Sequence, residues 1–469
     1  MTIYDKLKQI IINITVMNEL TQAKTETNNF DWYESWYPVH YVKDLDQSKP
    51  TKFTLLSEDL VIWWDKKEQN WRVFKDQCPH RLAPLSEGRI NQEGLLECPY
   101  HGWTFTGEGK CDRIPQQLPH YTAEKSSRAC VNSLPTIVKQ GLLFVYPGKV
   151  ENAQKTQVPI IEPLEENPLE WICIDTFRDL PYDSLTLLEN VLDASHVPYT
   201  HHNTISKREY VTPVELEIIE SGKWGFKGTW EEGPRKGKLG RQDTTFIAPL
   251  FMYHDLTSKQ YGRTLTVVYA TPISKGKCRL FARFPFKFSS KIPGIFIKLT
   301  PRWYSHIGQN GILEDDQIFL HHQERYLEAK GGSENFAKAF YLPTKADLFV
   351  LELRQWVNNY SINPFLGEKL LPPLRKPELL DRYNSHTIHC NSCRKALKNI
   401  QKSKKILGIL VFLYLTIIPI LSIIVDDISV IGNMIMTIIP IILGGIWLKL
   451  GQLEKEFYQG REIPPRNYD

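Results

Sequence analysis

The chain has 469 residues, of which 42% are hydrophobic and 23% charged, so it is long enough for two or three domains and has the composition of a globular protein with an additional apolar part. Its formal net charge is only +4, and it has no basic repeat or run of arginines interleaved with aromatic residues, which excludes nucleic-acid binding from the candidate functions. Its eight cysteines are too scattered for a disulfide framework and predict a reducing compartment.

The N-terminal segment, residues 1–29, contains a short apolar run at residues 10–16 that Asn13 interrupts. No small-residue cleavage site follows the run, and the segment is not rich in arginine and serine. It therefore resembles neither a secretory signal peptide nor an organellar transit peptide. We predict that the first folded domain begins after it, at about residue 30.

Residues 30–150 alternate short runs of β-forming residues with turn residues, the pattern of a small antiparallel β domain. The clearest runs lie at 53–56, 60–64, 71–74 and 141–146. The loops between such strands are where a domain of this kind carries its chemistry.

Two cysteines and two histidines form a paired motif in these loops. The sequence CPH ends at His80 and, after seventeen residues, CPYH runs from Cys98 to His101. Zinc also takes two cysteines and two histidines, but zinc modules usually separate their first two ligands by two to four residues, whereas a single residue separates Cys78 from His80. A cluster with one iron held by thiolates and the other by imidazoles fits this spacing, so the motif predicts a Rieske [2Fe–2S] cluster.

The segments around these ligands resemble those of a known family. They read CPHRLAPLSEGRI at 78–90, CPYHGWTFTGEG at 98–109 and IPQ at 114–116. They are similar to the Rieske non-haem iron oxygenases of the branch that includes pheophorbide a oxygenase, chlorophyllide a oxygenase and the chloroplast inner-envelope Rieske protein. Respiratory-type Rieske proteins have an additional cysteine in each loop, whereas Leu82, Ala83 and Tyr100 occupy this neighbourhood here, which favours the oxygenase type.

Residues 151–385 begin as a polar connection with prolines and continue as a mixed region. We predict a catalytic domain with a helix-flanked antiparallel sheet. Apolar residues at 187, 188, 191 and 192 predict a helix that Pro198 disrupts. A regular helix would place His196 and His201 roughly 140° apart, so this break is needed if both imidazoles are to bind one metal. By spacing alone, two unrelated histidines are the commoner explanation.

The resemblance assigns roles in this segment. In the family's mononuclear-iron motif two histidines, here His196 and His201, are iron ligands, and an aspartate, here Asp193, links the iron site to a Rieske cluster by hydrogen bonding. Asp193 lies three residues before His196, close to it on a helix surface. A carboxylate that accepts an imidazole N–H fixes the ring and raises its basicity. Asn190 matches the motif's supporting polar residue.

The third iron ligand is expected to be a carboxylate, because iron that activates O2 uses two histidines and one carboxylate. A helix is predicted through residues 312–327 that stops at 331–332. Asp316 lies near the centre of its apolar face, where a carboxylate is costly unless paired or metal-bound. The apolar face comprises Ile312, Leu313, Phe319, Leu320, Tyr326 and Leu327. The family has its third ligand in such a segment, so we predict Asp316, with Asp315 as the alternative. At least one of Glu314 and Asp315 is expected to face solvent.

The resemblance covers nearly the whole chain and implies a membrane-associated monooxygenase. It implies a [2Fe–2S] cluster, a mononuclear non-haem Fe(II), O2, and a ferredoxin or similar reductase as electron donor. The substrate would be a large planar tetrapyrrole such as pheophorbide a or chlorophyllide a, and the assembly a ring-like homotrimer. The alternatives are a membrane-bound Rieske electron carrier and a redox-sensing component of a membrane assembly, neither of which needs a second iron site.

Cys390 and Cys393 form a CxxC in a basic linker, residues 386–405. The spacing suits a redox-active pair. The resemblance associates a CxxC at this place with thiol–disulfide regulation, which would make thioredoxin a partner. The alternatives are two unpaired thiols or half of a metal site.

Two uncharged stretches, residues 406–425 and 428–448, are separated only by Asp426 and Asp427. At about 1.5 Å per residue, each crosses the roughly 30 Å hydrocarbon core, which predicts a transmembrane helical hairpin followed by a tail at 449–469. The alternative is a buried pair of core helices. Basic residues flank both outer ends, so the positive-inside rule puts the catalytic domains on the cytoplasmic or stromal face of a thylakoid, plasma or envelope membrane. The predicted fold class is α+β.

Overall fold

The computed structural model describes residues 29–233, 239–258, 262–361, 363–424 and 430–468. The predicted N-terminal segment, apart from residue 29, and the acidic turn at 426–427 lie outside these residues. Within them the chain is α+β, and all its strand pairs are antiparallel.

The N-terminal β domain contains every strand run that the sequence predicted. Its strands are β1 Tyr37–Tyr41, β2 Thr51–Leu55, β3 Glu58–Asp65, β4 Asn70–Lys75, β5 Arg89–Ile90, β6 Leu96–Glu97, β7 Thr104–Phe105, β8 Cys111–Arg113, β9 Ser133–Leu134, β10 Thr136–Lys139 and β11 Leu142–Val145. They form three sheets, in the orders β2-β3-β4-β9, β5-β6-β7-β8 and β1-β11-β10. The first cysteine loop joins β4 of the first sheet to β5 of the second, and the second loop joins β6 to β7, so these two sheets together position the cluster motif.

The second part is a seven-stranded sheet with helices packed on it, as predicted. Its strands are β12 Ile172–Leu180, β13 Leu216–Gly222, β14 Gly225–Trp230, β15 Gln242–Ile247, β16 Phe251–Ser258, β17 Gly262–Ser274 and β18 Lys277–Lys287, in the order β12-β18-β17-β16-β15-β14-β13. The helices are α1 Val150–Ala153, α2 Glu162–Glu166, α3 Ser184–Leu192, α4 Val197–Thr200, α5 Lys291–Leu299, α6 Arg302–Ala329, α7 Phe336–Ala339, α8 Leu348–Tyr360, α9 Lys376–Leu379, a π-helix Tyr383–Thr387, α10 Asn391–Ile424 and α11 Val430–Lys455. Helices α3, α6 and α8 pack on strands of this sheet, and α3 also contacts α6 and α8.

A continuous hydrophobic core joins the β domain to the large sheet. One buried cluster contains Tyr41 and Val145 from the first part and Phe177 and Phe281 from the second. The rings of Tyr41 and Phe281 meet edge to face at 5.5 Å. Burying large aromatic side chains is among the strongest contributions to packing, so the cluster-bearing domain is fixed against the sheet rather than tethered to it.

Helix α6 is the 28-residue element that carries the predicted carboxylate ligand. Its stop before residues 331–332 is as predicted, but its predicted buried face is only partly right. Leu320, Leu327 and Asp316 are buried at 3%, 6% and 5% exposure, whereas Phe319 is 38% and Tyr326 67% exposed. Glu314 and Asp315, which lie off that face, are 4% and 2% exposed. The expectation that at least one of these two carboxylates faces solvent is therefore wrong as well. Helix α6 is covered on several sides, by α3, α9, α10 and β12, so its buried positions do not follow a single apolar stripe.

Glu314 remains charged in this interior because two arginines contact it. Arg178 Nη1 lies 2.7 Å from Glu314 Oε1, and Arg382 donates to both carboxylate oxygens at 2.7 Å. Burial alone would raise the pKa of Glu314, but the two guanidinium groups outweigh it and lower the pKa. Arg382 also donates to Glu456 Oε2 at 2.6 Å, which ties the residues after α11 to α6.

The two C-terminal helices are long and apolar enough to cross a membrane, and none of the residues in their most apolar windows is buried. Side chains such as Phe412 and Ile441 are each 67% exposed. This exposure argues against a pair of buried core helices. Helix α10 begins at Asn391, within the predicted linker. Most of that linker and the first apolar stretch therefore form one helix. Lys404 pairs with Glu454 at 2.6 Å at the base of the hairpin.

We predict that Glu314→Leu destabilises the fold by about 3–5 kcal/mol, because removing one partner leaves buried guanidinium charges uncompensated. The measurement is the thermal unfolding midpoint of the purified protein in detergent. Glu58→Ala is the matched control, because it removes a carboxylate whose pair with Lys75 is exposed. The control should shift the midpoint much less. Equal shifts in the two variants would contradict the interpretation.

Candidate functional site

The two cysteine loops of the β domain have the same backbone hydrogen bonds. The Cys78 N–H donates to the Ala83 carbonyl at 2.9 Å, and the Cys98 N–H donates to the Trp103 carbonyl at 2.8 Å. In each loop the fourth residue after the cysteine donates back to the cysteine carbonyl and has a positive φ, 59° at Leu82 and 69° at Gly102. The structure thus contains two equivalent loops, as expected of loops that hold one cluster from opposite sides.

The four predicted cluster ligands are arranged as a buried pair and a surface pair. The Cys78 and Cys98 side chains are 1% and 2% exposed and form a hydrogen bond with each other. The rings of His80 and His101 lie 4.6 Å apart at their centroids, and His80, which is exposed, stacks on Trp103 at 4.7 Å. A Rieske cluster requires two thiol donors for one iron and two imidazole donors for the other, and these two pairs have that arrangement.

The contact between the two buried cysteines favours a thiolate at Cys98 and raises the pKa of Cys78. The hydrogen bond from the Cys78 thiol lowers the pKa of Cys98 to about 6, and the backbone N–H groups of Tyr100 and His101 contribute to the same effect. Thiolates are the form that binds iron. The donor set and its arrangement therefore fit a [2Fe–2S] cluster.

The second group of predicted ligands lies at a break between two helices. Helix α3 ends at Leu192, and the Asp193 side chain accepts hydrogen bonds from the Ser195 N–H at 2.8 Å and hydroxyl at 2.6 Å. This turn is typical of aspartate, whose side chain competes with helical hydrogen bonding. The break therefore precedes His196, whereas the sequence predicted it at Pro198. Pro198 instead lies in the first turn of α4, where a missing N–H costs nothing.

His196, His201 and Asp316 meet, and a ligand atom from each lies within 4.8 Å of the others. His196 Nε2 is 3.8 Å from Asp316 Oδ1, and His201 Nε2 is 3.3 Å from Asp316 Oδ2. His201 and Asp316 are buried at 4% and 5% exposure. Burial raises the pKa of Asp316, an effect that the two imidazoles oppose. Two histidines and one carboxylate facing one point is a donor set that fits non-haem iron.

The Nδ1 atoms of both imidazoles, on the side away from Asp316, contact groups other than those that the sequence predicted. His196 Nδ1 lies 2.5 Å from the backbone carbonyl of Asp193, while the Asp193 carboxylate is 4.0 Å away and 31% exposed. His201 Nδ1 lies 3.4 Å from Asp315 Oδ2. The carbonyl, not the carboxylate, thus orients His196, and the Asp315 carboxylate lies behind His201 rather than beside Asp316.

Further residues support this group. Asn190 Nδ2 donates to Asp316 Oδ1 at 3.5 Å, so it contacts the carboxylate of this group. Sequence reasoning missed Thr204, whose hydroxyl donates to Asp315 Oδ2 at 2.8 Å, and Arg466, which donates to the Asp315 carbonyl. Thr204 lies only three residues after His201, but Arg466 is 151 residues from Asp315, and no local pattern joins them.

The CxxC cysteines lie at the start of α10, where both thiols are free and buried. Two histidines that the sequence did not single out, His306 and His386, lie against them, and all four form a second compact group of possible metal donors. The predicted pair is therefore part of a four-residue cluster.

Both the β domain and the domain with the large sheet contain a segment that matches a known protein family. Residues 35–135 match the Rieske [2Fe-2S] domain, and residues 246–334 match pheophorbide a oxygenase. The chain is 38% identical to pheophorbide a oxygenase of Oryza sativa over 84% of this chain and 80% of the relative. It is 36% identical to flavonoid 8-hydroxylase 2 of Ocimum basilicum over 81% of this chain and 76% of the relative.

A solved structure shows the same fold over about two thirds of this chain. Dicamba monooxygenase, at 21% identity, superposes on 69% of this chain and 95% of its own with a TM-score of 0.56. Enzymes of this class combine a Rieske cluster with a mononuclear non-haem iron, and they use O2, a reductase or ferredoxin, and a small-molecule substrate. The chain belongs to the pheophorbide a oxygenase family of Rieske non-haem iron oxygenases.

Proposed function

We propose that the chain is a membrane-anchored monooxygenase that uses O2 and electrons from a ferredoxin or similar reductase to oxygenate a chlorophyll-derived tetrapyrrole. The grouping of His196, His201 and Asp316 carries this proposal, because two imidazoles and a buried carboxylate face one point. An electron carrier or a redox-sensing component would need only the four Rieske ligands.

In this proposal Cys78, His80, Cys98 and His101 bind the cluster, and His196, His201 and Asp316 bind the mononuclear iron. When bound, the cluster supplies single electrons and the iron supplies O2 activation. The chain's own contribution is orientation. Hydrogen bonds from the two Nδ1–H groups, to the Asp193 carbonyl and the Asp315 carboxylate, leave both Nε2 lone pairs directed at Asp316.

Asp193 is proposed to connect the iron site to a Rieske cluster of a neighbouring subunit in a homotrimer. Its carboxylate is 31% exposed, and the imidazole of His80 is exposed on the β domain. Both ends of such a connection therefore reach the surface, as contact between subunits requires. A hydrogen bond from a cluster imidazole to this carboxylate would join the two sites.

The tetrapyrrole assignment is supported by the name of the rice relative and by a groove along the helix that carries Asp316. This groove of about 460 Å³ is open, and its lining includes Phe319 and Tyr326 on the same helix as Asp316. Exposed aromatic rings suit a large planar ligand. Phe319 is three residues from Asp316 and therefore adjacent to it on the helix. The relative named as a flavonoid hydroxylase makes a smaller planar aromatic molecule the second candidate.

Helices α10 and α11 are proposed to span the membrane, which makes the chain an integral membrane protein. Basic residues at the base of both helices support a cytoplasmic or stromal location for the catalytic domains. The names of both relatives include "chloroplastic", which supports a thylakoid or envelope membrane over a plasma membrane. Thioredoxin is proposed as a partner of Cys390 and Cys393 only in a conformation that exposes them, because both thiols are buried here.

We predict different effects for the neighbouring carboxylates of α6. Asp316→Ala should remove the mononuclear iron and the oxygenase activity, because it removes a ligand. Asp315→Asn should keep that iron but weaken its binding or the activity by about 10- to 100-fold, because it changes only the group behind His201. The measurements are iron content, turnover and the Rieske EPR signal, which should be unchanged in both variants. Iron loss in Asp315→Asn but not in Asp316→Ala would make Asp315 the ligand.

The substrate is tested by supplying the full-length protein in detergent with ferredoxin, ferredoxin reductase, NADPH and 18O2. Pheophorbide a, chlorophyllide a and a flavone are compared, with the Asp316→Ala variant as control. Mass spectrometry should find the label in a tetrapyrrole product and none with the variant. A labelled flavone with unlabelled tetrapyrroles would contradict the tetrapyrrole assignment.

A further inference from the structure

Four metal-binding side chains meet in the protein interior where α10 begins, away from both predicted iron sites. His306 comes from α6, His386 from the π-helix, Cys390 from the residue before α10 and Cys393 from its first turn. They are 0%, 1%, 0% and 2% exposed, and one donor atom from each lies within 4.8 Å of the others. Buried polar groups of this kind need partners, and the tautomers of the histidines restrict which partners are available.

Both histidines use one ring nitrogen to bond a backbone carbonyl. His306 Nε2 lies 2.9 Å from the Asp175 carbonyl, and His386 Nδ1 lies 2.6 Å from the Phe177 carbonyl. A carbonyl can only accept a hydrogen bond, so each of these nitrogens carries the proton. The other two nitrogens, His306 Nδ1 and His386 Nε2, are then both lone-pair donors, and they face each other at 2.9 Å.

Two lone pairs at this distance repel each other unless an electron-pair acceptor lies beside them. A proton would create a buried imidazolium whose ring hydrogen bonds include no carboxylate. A metal ion satisfies both nitrogens at once, and the protonated far nitrogens bonded to carbonyls are the arrangement that orients histidine ligands.

The sulfur atoms complete a tetrahedral set. The Cys390 and Cys393 Sγ atoms are each 3.5 Å from His306 Nδ1, and Cys393 Sγ is 3.4 Å from His386 Nε2. Zinc bonds of about 2.3 Å to sulfur and 2.0–2.1 Å to nitrogen imply a sulfur–nitrogen separation of about 3.6 Å in a tetrahedron. The three observed separations agree with this value to within a few tenths of an ångström. The nitrogen–nitrogen separation of 2.9 Å is shorter than the value of about 3.3 Å expected for two nitrogen ligands of tetrahedral zinc, so the two rings would move slightly apart on metal binding.

We propose that His306, His386, Cys390 and Cys393 form a structural Zn²⁺ site, separate from the iron centres of the oxygenase. Four protein ligands and complete burial leave no open coordination position, which is typical of structural rather than catalytic zinc. The CxxC spacing is also common among zinc ligands. The same thiols cannot be zinc ligands and a disulfide at once, so metal binding and thioredoxin-linked oxidation are mutually exclusive states of the pair.

Such an ion would join three segments of the chain. His306 is on the helix that carries Asp316, and Cys393 is at the base of the first apolar helix. A neighbouring contact joins the same segments, since Asp44 pairs with Arg302 at 2.6 Å and accepts the Asn391 N–H at 2.9 Å. The zinc site would therefore fix the C-terminal hairpin to the catalytic domain.

The direct test is metal analysis and zinc X-ray absorption spectroscopy of the full-length protein, purified in detergent without chelators and with thiols kept reduced. We expect about one zinc per chain, with two sulfur ligands at about 2.3 Å and two nitrogen ligands at about 2.0–2.1 Å. The Rieske ligands are also two cysteines and two histidines, so the sample must have a full Rieske EPR signal. Absence of zinc from such a sample, or a Cys390–Cys393 disulfide in it, would overturn the proposal.

Variants locate the metal. Cys390→Ser combined with Cys393→Ser should lose the zinc while keeping its iron and Rieske signal, whereas Cys130→Ser, which changes an exposed thiol, should keep both metals. Zinc that persists in the double variant and disappears in Cys78→Ser would belong to a wrongly metallated Rieske site and overturn the proposal. If the double variant does not fold, the ligand set and metal content of the unmodified protein decide. Iron content reports separately on the oxygenase function.

Discussion

Three consecutive carboxylates, Glu314, Asp315 and Asp316, are buried on one turn of α6, and the rest of the site depends on how each is neutralised. A buried carboxylate is tolerated only with a cation, a set of hydrogen-bond donors or a metal. Glu314 has two arginines, Asp315 has Thr204 and the ring of His201, and Asp316 has only imidazoles and an amide around it. Asp316 is therefore the carboxylate of the three whose surroundings call for a metal ion.

The partners of these carboxylates come from distant parts of the chain, and their contacts join those parts to α6. Arg178 belongs to the large sheet, and Arg382 also contacts Glu456 beyond α11. Arg466, in the C-terminal tail, donates to the Asp315 carbonyl. The base of the apolar hairpin and the tail are thus packed around the helix that carries Asp316.

Local features of the site were predictable from sequence, and long-range ones were not. The paired cysteine loops repeat one backbone pattern within a few residues, so their spacing was enough to identify them. The break before His196 arises from a local turn at Asp193, whereas the sequence pattern points to Pro198, because a proline can either end a helix or begin one, as it does in α4. The burial of Glu314 could not be foreseen, because Arg178 is 136 residues away. His306 and His386 likewise meet the CxxC only through the tertiary fold.

The central claim is that the chain binds a mononuclear iron in addition to its Rieske cluster. It is tested most directly by the ratio of iron to acid-labile sulfide in the unmodified full-length protein, after anaerobic incubation with Fe(II) and removal of the excess. A [2Fe–2S] cluster with a separate iron predicts about three irons for two sulfides. A ratio of two irons to two sulfides, with the Rieske EPR signal complete, would contradict the account and leave an electron carrier.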